Sequence, residues 1–193
     1  MTLIFLDFET TGLNVYHDDI TEYSMIERES GYSVCSLVQL KNKRCITPFI
    51  TGKTGITTEM VQGGQTQEEA VTCMVDFINA HSTSRDTVTI IAHNGDAFDF
   101  LIFRRLLKEY NIHPKCRLEY FDTLRFAQKL IPRLYSFSQE NLCKQFHITN
   151  KAAHRAYGDT ESLVKVYTHL TRLYSSRKSD IKDHRGFTYE NIN

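Results

Sequence analysis

Hydrophobic positions gather first into short dense runs and later into stripes of helical spacing. TLIFLDFETT (2–11) is an apolar run rich in branched and aromatic residues, which predicts a strand covered on both faces. SMIERES (24–30) and YSVCSLVQLK (32–41) alternate more loosely and predict the next strand or hairpin. RCITPFIT (44–51) predicts an edge strand, because Pro48 cannot donate to a ladder. TTEMVQGG and then TQEEAVTCMVDFINAH (66–81) predict helices. In the second, Ala70, Cys73, Met74, Phe77 and Ile78 recur at helical spacing, and Thr66-x-x-Glu69 has the form of a capping box. TVTIIAH (87–93) predicts another buried strand and DFLIFRRLLKEYNI (99–112) an amphipathic helix. LEYFDTLRFAQKLI (118–131) passes from strand to helix, and SFSQENLCKQF (136–146) is a helix begun by Ser138 as its cap. GDTESLVKVYTHLTRLYSSRK (158–178) is a long final helix. Strands early and helices alternating later predict one α/β domain on a mixed sheet over 1–178, followed by a polar tail over 179–193.

Composition narrows the class. The 193 residues are 41% hydrophobic and 24% charged, which suits a single domain with a sizeable core. Lys plus Arg equals Asp plus Glu at 23 each, so whole-chain charge gives no sign of a nucleic-acid partner and any basic surface is local. Five cysteines, an odd number with no C-x-x-C, predict free thiols in a reducing compartment. With no apolar run near the ~18 residues of a membrane span, a soluble intracellular protein with no membrane partner is expected.

The first strand carries two carboxylates. Side chains alternate faces along a strand, so Asp7 and Glu9 point the same way as Leu3 and Phe5. Like charges that close repel, and one protonates unless a cation neutralises both. A hard divalent ion such as Mg²⁺ does this through carboxylate oxygens. The ordinary alternative makes the pair turn residues for Thr10, Thr11, Gly12 and Leu13. In IIAHNGDAFDFLIF (90–103), a strand ends at Ala92, a polar loop follows, and Asp99 shares a helix face with Ile102, Phe103 and Leu106. The alternative for Asp99 is N-terminal capping and dipole compensation. In AAHRAYGDTESLVKVYTHL (152–170), Leu163, Val166 and Leu170, with Leu173 beyond, form the buried stripe that Asp159 continues into the first turn. His154 stands five residues earlier and, taken alone, reads as a surface residue, as do His147, His169 and His184. Separately these signals are weak. Jointly, acids from three segments, each at the end of an apolar element, suit two metal ions roughly 3.5–4 Å apart, as in phosphoryl-transfer nucleases.

At this point the motifs resemble a known family. FLDFETTGL, AHNGDAFDF and HRAYGD resemble, in order, the three exonuclease motifs of the DnaQ-like three-prime to five-prime exonucleases, the DEDD family with a histidine. TLIFLDFETTGL, AHNGDAFDFLIF and TGITTEMV look most like the TREX-type three-prime repair exonucleases, as does the spacing H-N-G-D-A-F-D. The resemblance implies a ribonuclease H-like fold, a five-stranded mixed sheet flanked by helices. It implies Asp7, Glu9, Asp99 and Asp159 as metal-binding acids for two Mg²⁺ ions, with Mn²⁺ as a substitute, and His154 as general base; an imidazole of ordinary pKa near ~6.5 suits that role. It implies nucleic acid as partner, hydrolysis from the three-prime end of DNA, and contacts to the terminal nucleotide from Thr10, Thr11, Gly12, Leu13 and Asn94. Phe98 stands beside the third acid, where packing under the site and ordinary core packing are both open. Tyr135 and Phe137 are candidates to stack bases, and Arg133 and Lys144 either meet phosphates or line a solvated face.

Some features depart from the family pattern. Lys53 stands where an apolar residue commonly precedes TG, the long proline-rich insertion of some TREX-type enzymes is missing, and no hydrophobic anchor follows the domain. A homodimer through the edge strand 44–51 is a further expectation, weakened by Pro48. The rival readings are an exoribonuclease of the same family, an inactive nucleic-acid-binding relative, and an aspartyl phosphatase, which would leave His154 idle.

Overall fold

The structure is a computed structural model that describes residues 2–150 and 153–177. The polar tail expected over 179–193, with His184, lies outside the described residues. Five strands form one sheet in the order β3-β2-β1-β4-β5: β1 (Thr2–Thr10), β2 (Ile20–Glu27), β3 (Ser33–Leu37), β4 (Thr87–Ala92) and β5 (Arg117–Asp122). The first three are antiparallel, and β4 and β5 continue the sheet parallel to β1. The mixed sheet implied by the family resemblance is thus the one found.

The period-2 alternation of β1 divides the core. Ile4, Leu6 and Phe8 pack into one layer with α3 (Gln67–Ala80) and α4 (Asp99–Tyr110). Leu3 and Phe5 pack into the other, against α5 (Thr123–Leu130), α6 (Gln139–Gln145) and α7 (Ala156–Arg177). In that second layer the Tyr167 ring meets Phe5 edge-on at 5.4 Å and Phe121 at 5.7 Å, an arrangement aromatic pairs favour. The helix starts are those the sequence announces: Thr66 and Glu69 form a complete capping box on α3, and the Ser138 side chain accepts from the Asn141 N–H on α6.

Residues 44–51 are not a strand. They lead into the helix α1 (Pro48–Thr54), followed by α2 (Thr58–Gln62). The Thr47 side chain caps Ile50, Pro48 takes the first helical position, where its missing N–H is harmless, and Gly55 closes the helix at φ 72°. Ile46, Ile56 and Val61 form a small core of their own, with Leu37 and Ile50 packed against it. An edge-strand dimer through this segment is therefore withdrawn. His169 is also corrected: it is half-buried, stacked on Phe146 at an interplanar angle of 7°. His147 is exposed, as expected. The five cysteines are free thiols. No helix among the described residues is long and apolar enough to cross a membrane.

Candidate active site

Asp7 and Glu9 lie on the face of β1 turned towards α7, two residues apart, beyond the point where Leu3 and Phe5 have completed the core. A register shift between Glu9 and Thr10 ends the regular pairing with β2 just there. The first turn of α7 brings Asp159 across, so that carboxylate oxygens of Asp7, Glu9 and Asp159 lie within 4.8 Å of one another. The site forms at the carboxyl ends of the adjacent parallel strands β1 and β4, where open α/β sheets commonly leave a crevice.

Asp99 arrives from the opposite layer. Asp99 is not the helix cap, since Phe98 is the N-cap of α4, with no side-chain cap hydrogen bond; it stands in the first turn, where an acid also suits the helix dipole. Asp99 is buried, and its Oδ1 accepts the Phe8 N–H at 3.2 Å, at the strand position between Asp7 and Glu9. What makes this approach possible is Gly95. It is buried against the helix start, and a Cβ there would stand 2.5 Å from Phe100 Cζ and 2.8 Å from the Ala92 Cβ. Gly95→Ala is therefore expected to destabilise the fold by about 1–3 kcal/mol through overpacking, with lowered activity as α4 carries Asp99 away; urea denaturation and a rate assay check both.

Electrostatics mark the cluster. Burial, followed by the charges of Asp99, Asp159, Glu9 and Glu22, holds the Asp7 carboxyl well above the ordinary carboxylate range. Glu9 is pushed up to about 7 by burial and by Asp159 and Glu22, with Lys53 and Arg155 pulling the other way. Asp99 is likewise raised to about 7, chiefly by burial. Asp159 is raised by burial, although the hydrogen bonds it accepts oppose this: the His154 N–H reaches its Oδ2 at 2.8 Å and Asn150 Nδ2 its Oδ1 at 2.7 Å. All four groups resist ionisation, chiefly through burial, and their nearby cations and hydrogen bonds do not outweigh it. Hard oxygen donors that repel one another are a set suited to a divalent cation.

His154 holds a turn with φ 62° and is exposed. With Asp7, Asp159, Asn150, Lys144 and His93 it lines a cleft of about 580 Å³. His93 ties the far wall together, its Nδ1 3.0 Å from Thr123 Oγ1 and its Nε2 2.8 Å from the Phe137 carbonyl. The loop after β1 is self-bonded: Thr10 Oγ1 donates to the Gly12 carbonyl at 2.6 Å, and Thr11 Oγ1 to Asp18 at 3.3 Å. Gly12 lets the Asp18 carboxylate approach closely: a Cβ there would stand 2.5 Å from Asp18 Oδ2 and push that side chain aside. Leu13 is 85% exposed at the tip of this loop. Asn94 is exposed at φ 60°, and Phe98 is half-buried against the core that α4 shares. Tyr135 is fully exposed, while Phe137 packs into the second layer. Lys144 pairs with Glu140 at 2.6 Å.

Several contributors escape a reading of the sequence. Asp122 ends β5, caps α5 through the Leu124 N–H at 2.8 Å, and accepts the N–H groups of Asn94 and Asp96, so it anchors the loop that presents Asp99. The run D-T-L between strand and helix was its available signal. Gln139 donates to the Asp159 carbonyl at 2.8 Å, and Glu22 with Arg155 joins β2 to the start of α7; no spacing announces either contact.

Comparison with known proteins places the fold and the family. The DNA polymerase III PolC-type of Mycoplasma genitalium is 30% identical over 174 residues, which cover 89% of this chain and 11% of that protein. The chain thus spans about a tenth of the length of the curated relatives it matches. Escherichia coli exonuclease I bound to a dT13 oligonucleotide superposes with a TM-score of 0.77 at 18% identity, over 95% of this chain and 44% of that one. Its zinc-ion-bound complex with single-stranded DNA gives 0.75 at 19% identity, over 95% and 42%. These structures share the fold. The exonuclease family profile matches residues 4–167, and the chain belongs to that family.

Proposed function

We propose that the protein is a divalent-metal-dependent three-prime to five-prime exonuclease, which hydrolyses the last phosphodiester of DNA, single-stranded or frayed at its end, and releases nucleoside monophosphates. The observation that carries this reading is the cluster of Asp7, Glu9 and Asp159, with Asp99 behind it and His154 beside it on an open cleft. Asp7, Glu9 and Asp159 would hold one ion and Asp7 with Asp99 a second, Mg²⁺ by the hardness of the donors and Mn²⁺ as a substitute. Bound there, such ions supply Lewis acidity and neutralise charge on the phosphate. His154 accepts the proton of the attacking water on an imidazole nitrogen. Asp159 holds the His154 backbone N–H, so the same carboxylate orders both the acid cluster and the base-bearing turn. The Thr10–Leu13 loop, Asn94 and Phe98 contact the terminal nucleotide, with exposed Leu13 meeting the last base. Likeness to the TREX-type subgroup rests on motif spacing, whereas the relatives above are PolC-type polymerases.

Digestion of five-prime-labelled single-stranded DNA, duplex DNA and RNA of equal length tests the reading. A ladder shortening from the three-prime end, fastest on single-stranded DNA and dependent on Mg²⁺ or Mn²⁺, is expected. Internal cleavage, or intact substrate under all conditions, overturns it, and preference for RNA moves the substrate within the family. Ca²⁺ is expected to support binding without cleavage. His154→Ala is expected to lower kcat by ~10²–10⁴-fold, the usual worth of a general base, with DNA binding unchanged by fluorescence anisotropy.

A further inference from the structure

Glu22 is a buried charge for which the reaction has no use. It stands on β2 directly across from Glu9, almost wholly buried, and its charge adds to the repulsion at Asp7 and Glu9. A buried carboxylate beside other carboxylates is strongly unfavourable unless it is paired and hydrogen-bonded. Arg155 and its neighbour supply this. The Arg155 Nε lies 3.2 and 3.1 Å from the two carboxylate oxygens of Glu22, Nη2 lies 2.6 Å from Oε1, and the Ala156 N–H donates to Oε2 at 2.8 Å. Every one of these donors belongs to the two residues that follow His154.

His154 itself is held in the left-handed region at φ 62°, a conformation a non-glycine residue keeps only where its surroundings impose it. Two tethers flank it: its own N–H on Asp159, and the fork of Arg155 on Glu22. The first comes from α7 itself. The second, with the Ala156 N–H on the same carboxylate, ties the turn to the sheet that carries Asp7 and Glu9. We propose that Glu22 and Arg155 are a positioning pair, which seats the His154 turn against β2 and so fixes the base relative to the acids. This rests on the reading of His154 as the proton acceptor. It assigns Glu22 to the turn, outside the cation-holding set, although Glu22 is a near neighbour of Glu9.

A double-mutant cycle with a second, structural readout tests the pair. Arg155→Met and Glu22→Gln are made in the parental chain and in His154→Ala, alongside Arg155→Lys. Turnover of single-stranded DNA and amide hydrogen exchange over residues 153–159 are measured for each. Arg155→Met is expected to lower kcat by up to ~10²-fold, the effect of a misplaced reacting group, with KM little changed. Exchange over 153–159 is expected to quicken while the rest of the sheet stays protected. Arg155→Lys recovers part of the rate, since an ammonium keeps the charge but not the fork. In His154→Ala, the further loss from Arg155→Met is expected to shrink to about twofold or less, within the limits of coupled sites. A full further loss in that background, or unchanged exchange over 153–159, overturns the positioning role. If His154→Ala cleaves at the parental rate, the base reading falls instead, and exchange alone decides whether the pair seats the turn.

Discussion

Asp7→Asn is expected to abolish hydrolysis and, at neutral pH without metal, to raise the melting temperature. The two effects have one cause. Asp7 faces Asp99, Asp159, Glu9 and Glu22, and burial together with those charges drives its carboxyl towards the protonated form. At neutral pH the metal-free protein must either hold a proton there against solvent or tolerate repulsion in a region of low dielectric. Asparagine keeps the shape, removes the charge, and leaves a neutral amide at the cleft wall. At this chain length each 1 kcal/mol of relief is worth roughly 2–4 °C in melting temperature, which sets the smallest rise expected. Activity moves the other way. A metal-dependent site draws several kcal/mol of transition-state stabilisation from its ions, and at a tenfold change per 1.36 kcal/mol the loss is at least ~10³-fold. A calorimetric scan with EDTA and a digestion with Mg²⁺ check the pair of outcomes. A variant that is inactive because it is less stable than its parent would overturn the electrostatic account, and an active one the assignment of Asp7.

Much of this site is legible in local patterning. Period 2 in β1 puts Asp7 and Glu9 on one side with Leu3 and Phe5, and the structure keeps them there because those residues fill the α7-side core. The stripe of α4 turns Asp99 inward for the same reason that it buries Ile102, Phe103 and Leu106. Where capping and core burial competed as explanations of Asp99, the winner was a contact no spacing reveals, the Phe8 N–H from a strand 91 positions away. The misreading at 44–51 is instructive. Cys45, Ile46 and Phe49 look strand-like, yet Thr47-Pro48 is also a helix start and Gly55 a helix stop. The signals at the two ends outweighed β propensity between them. Glu22 and Arg155 lay beyond reach for a different reason: the pairing of β2 with β1 fixes where Glu22 stands, and register across an antiparallel ladder is written in neither strand alone.

Mg²⁺ is expected to raise the melting temperature strongly at pH 8 and little at pH 5.5, while the metal-free protein loses stability between those two pH values. Glu9 rises from an ordinary 4.5 to about 7 and Asp99 from 3.8 to about 7, and Asp7 and Asp159 are raised as well. Between the unfolded and folded values, the folded chain holds protons that the unfolded chain has released. Stability from these groups is therefore fully present below about pH 4 and is lost as pH climbs through about 7. For Glu9 alone the full shift corresponds to on the order of 3 kcal/mol, or roughly 6–12 °C at this length. Other carboxylates act in the opposite sense: buried Glu27 and the exposed Glu59, Glu69, Asp86 and Glu140 are held low by hydrogen bonds to their neighbours, and they weaken the fold only below the ordinary carboxylate range. His93, lowered by burial, opposes the acids inside the window, since its contribution is lost as pH falls. It does not bear on the difference made by metal, which isolates the cluster. A divalent ion binds only the ionised acids, so its binding releases protons and competes with them. At a hundredfold excess over its dissociation constant it contributes about 2.7 kcal/mol, and at pH 5.5 little of that survives. Scanning calorimetry at both pH values, with Mg²⁺ or EDTA, reads the stabilities, and titration calorimetry in buffers of different ionisation enthalpy counts the protons. In Asp7→Asn both the pH slope and the proton release are expected to shrink. Equal stabilisation by Mg²⁺ at the two pH values, or release undiminished in that variant, would mean that the ion neutralises some group other than these four acids.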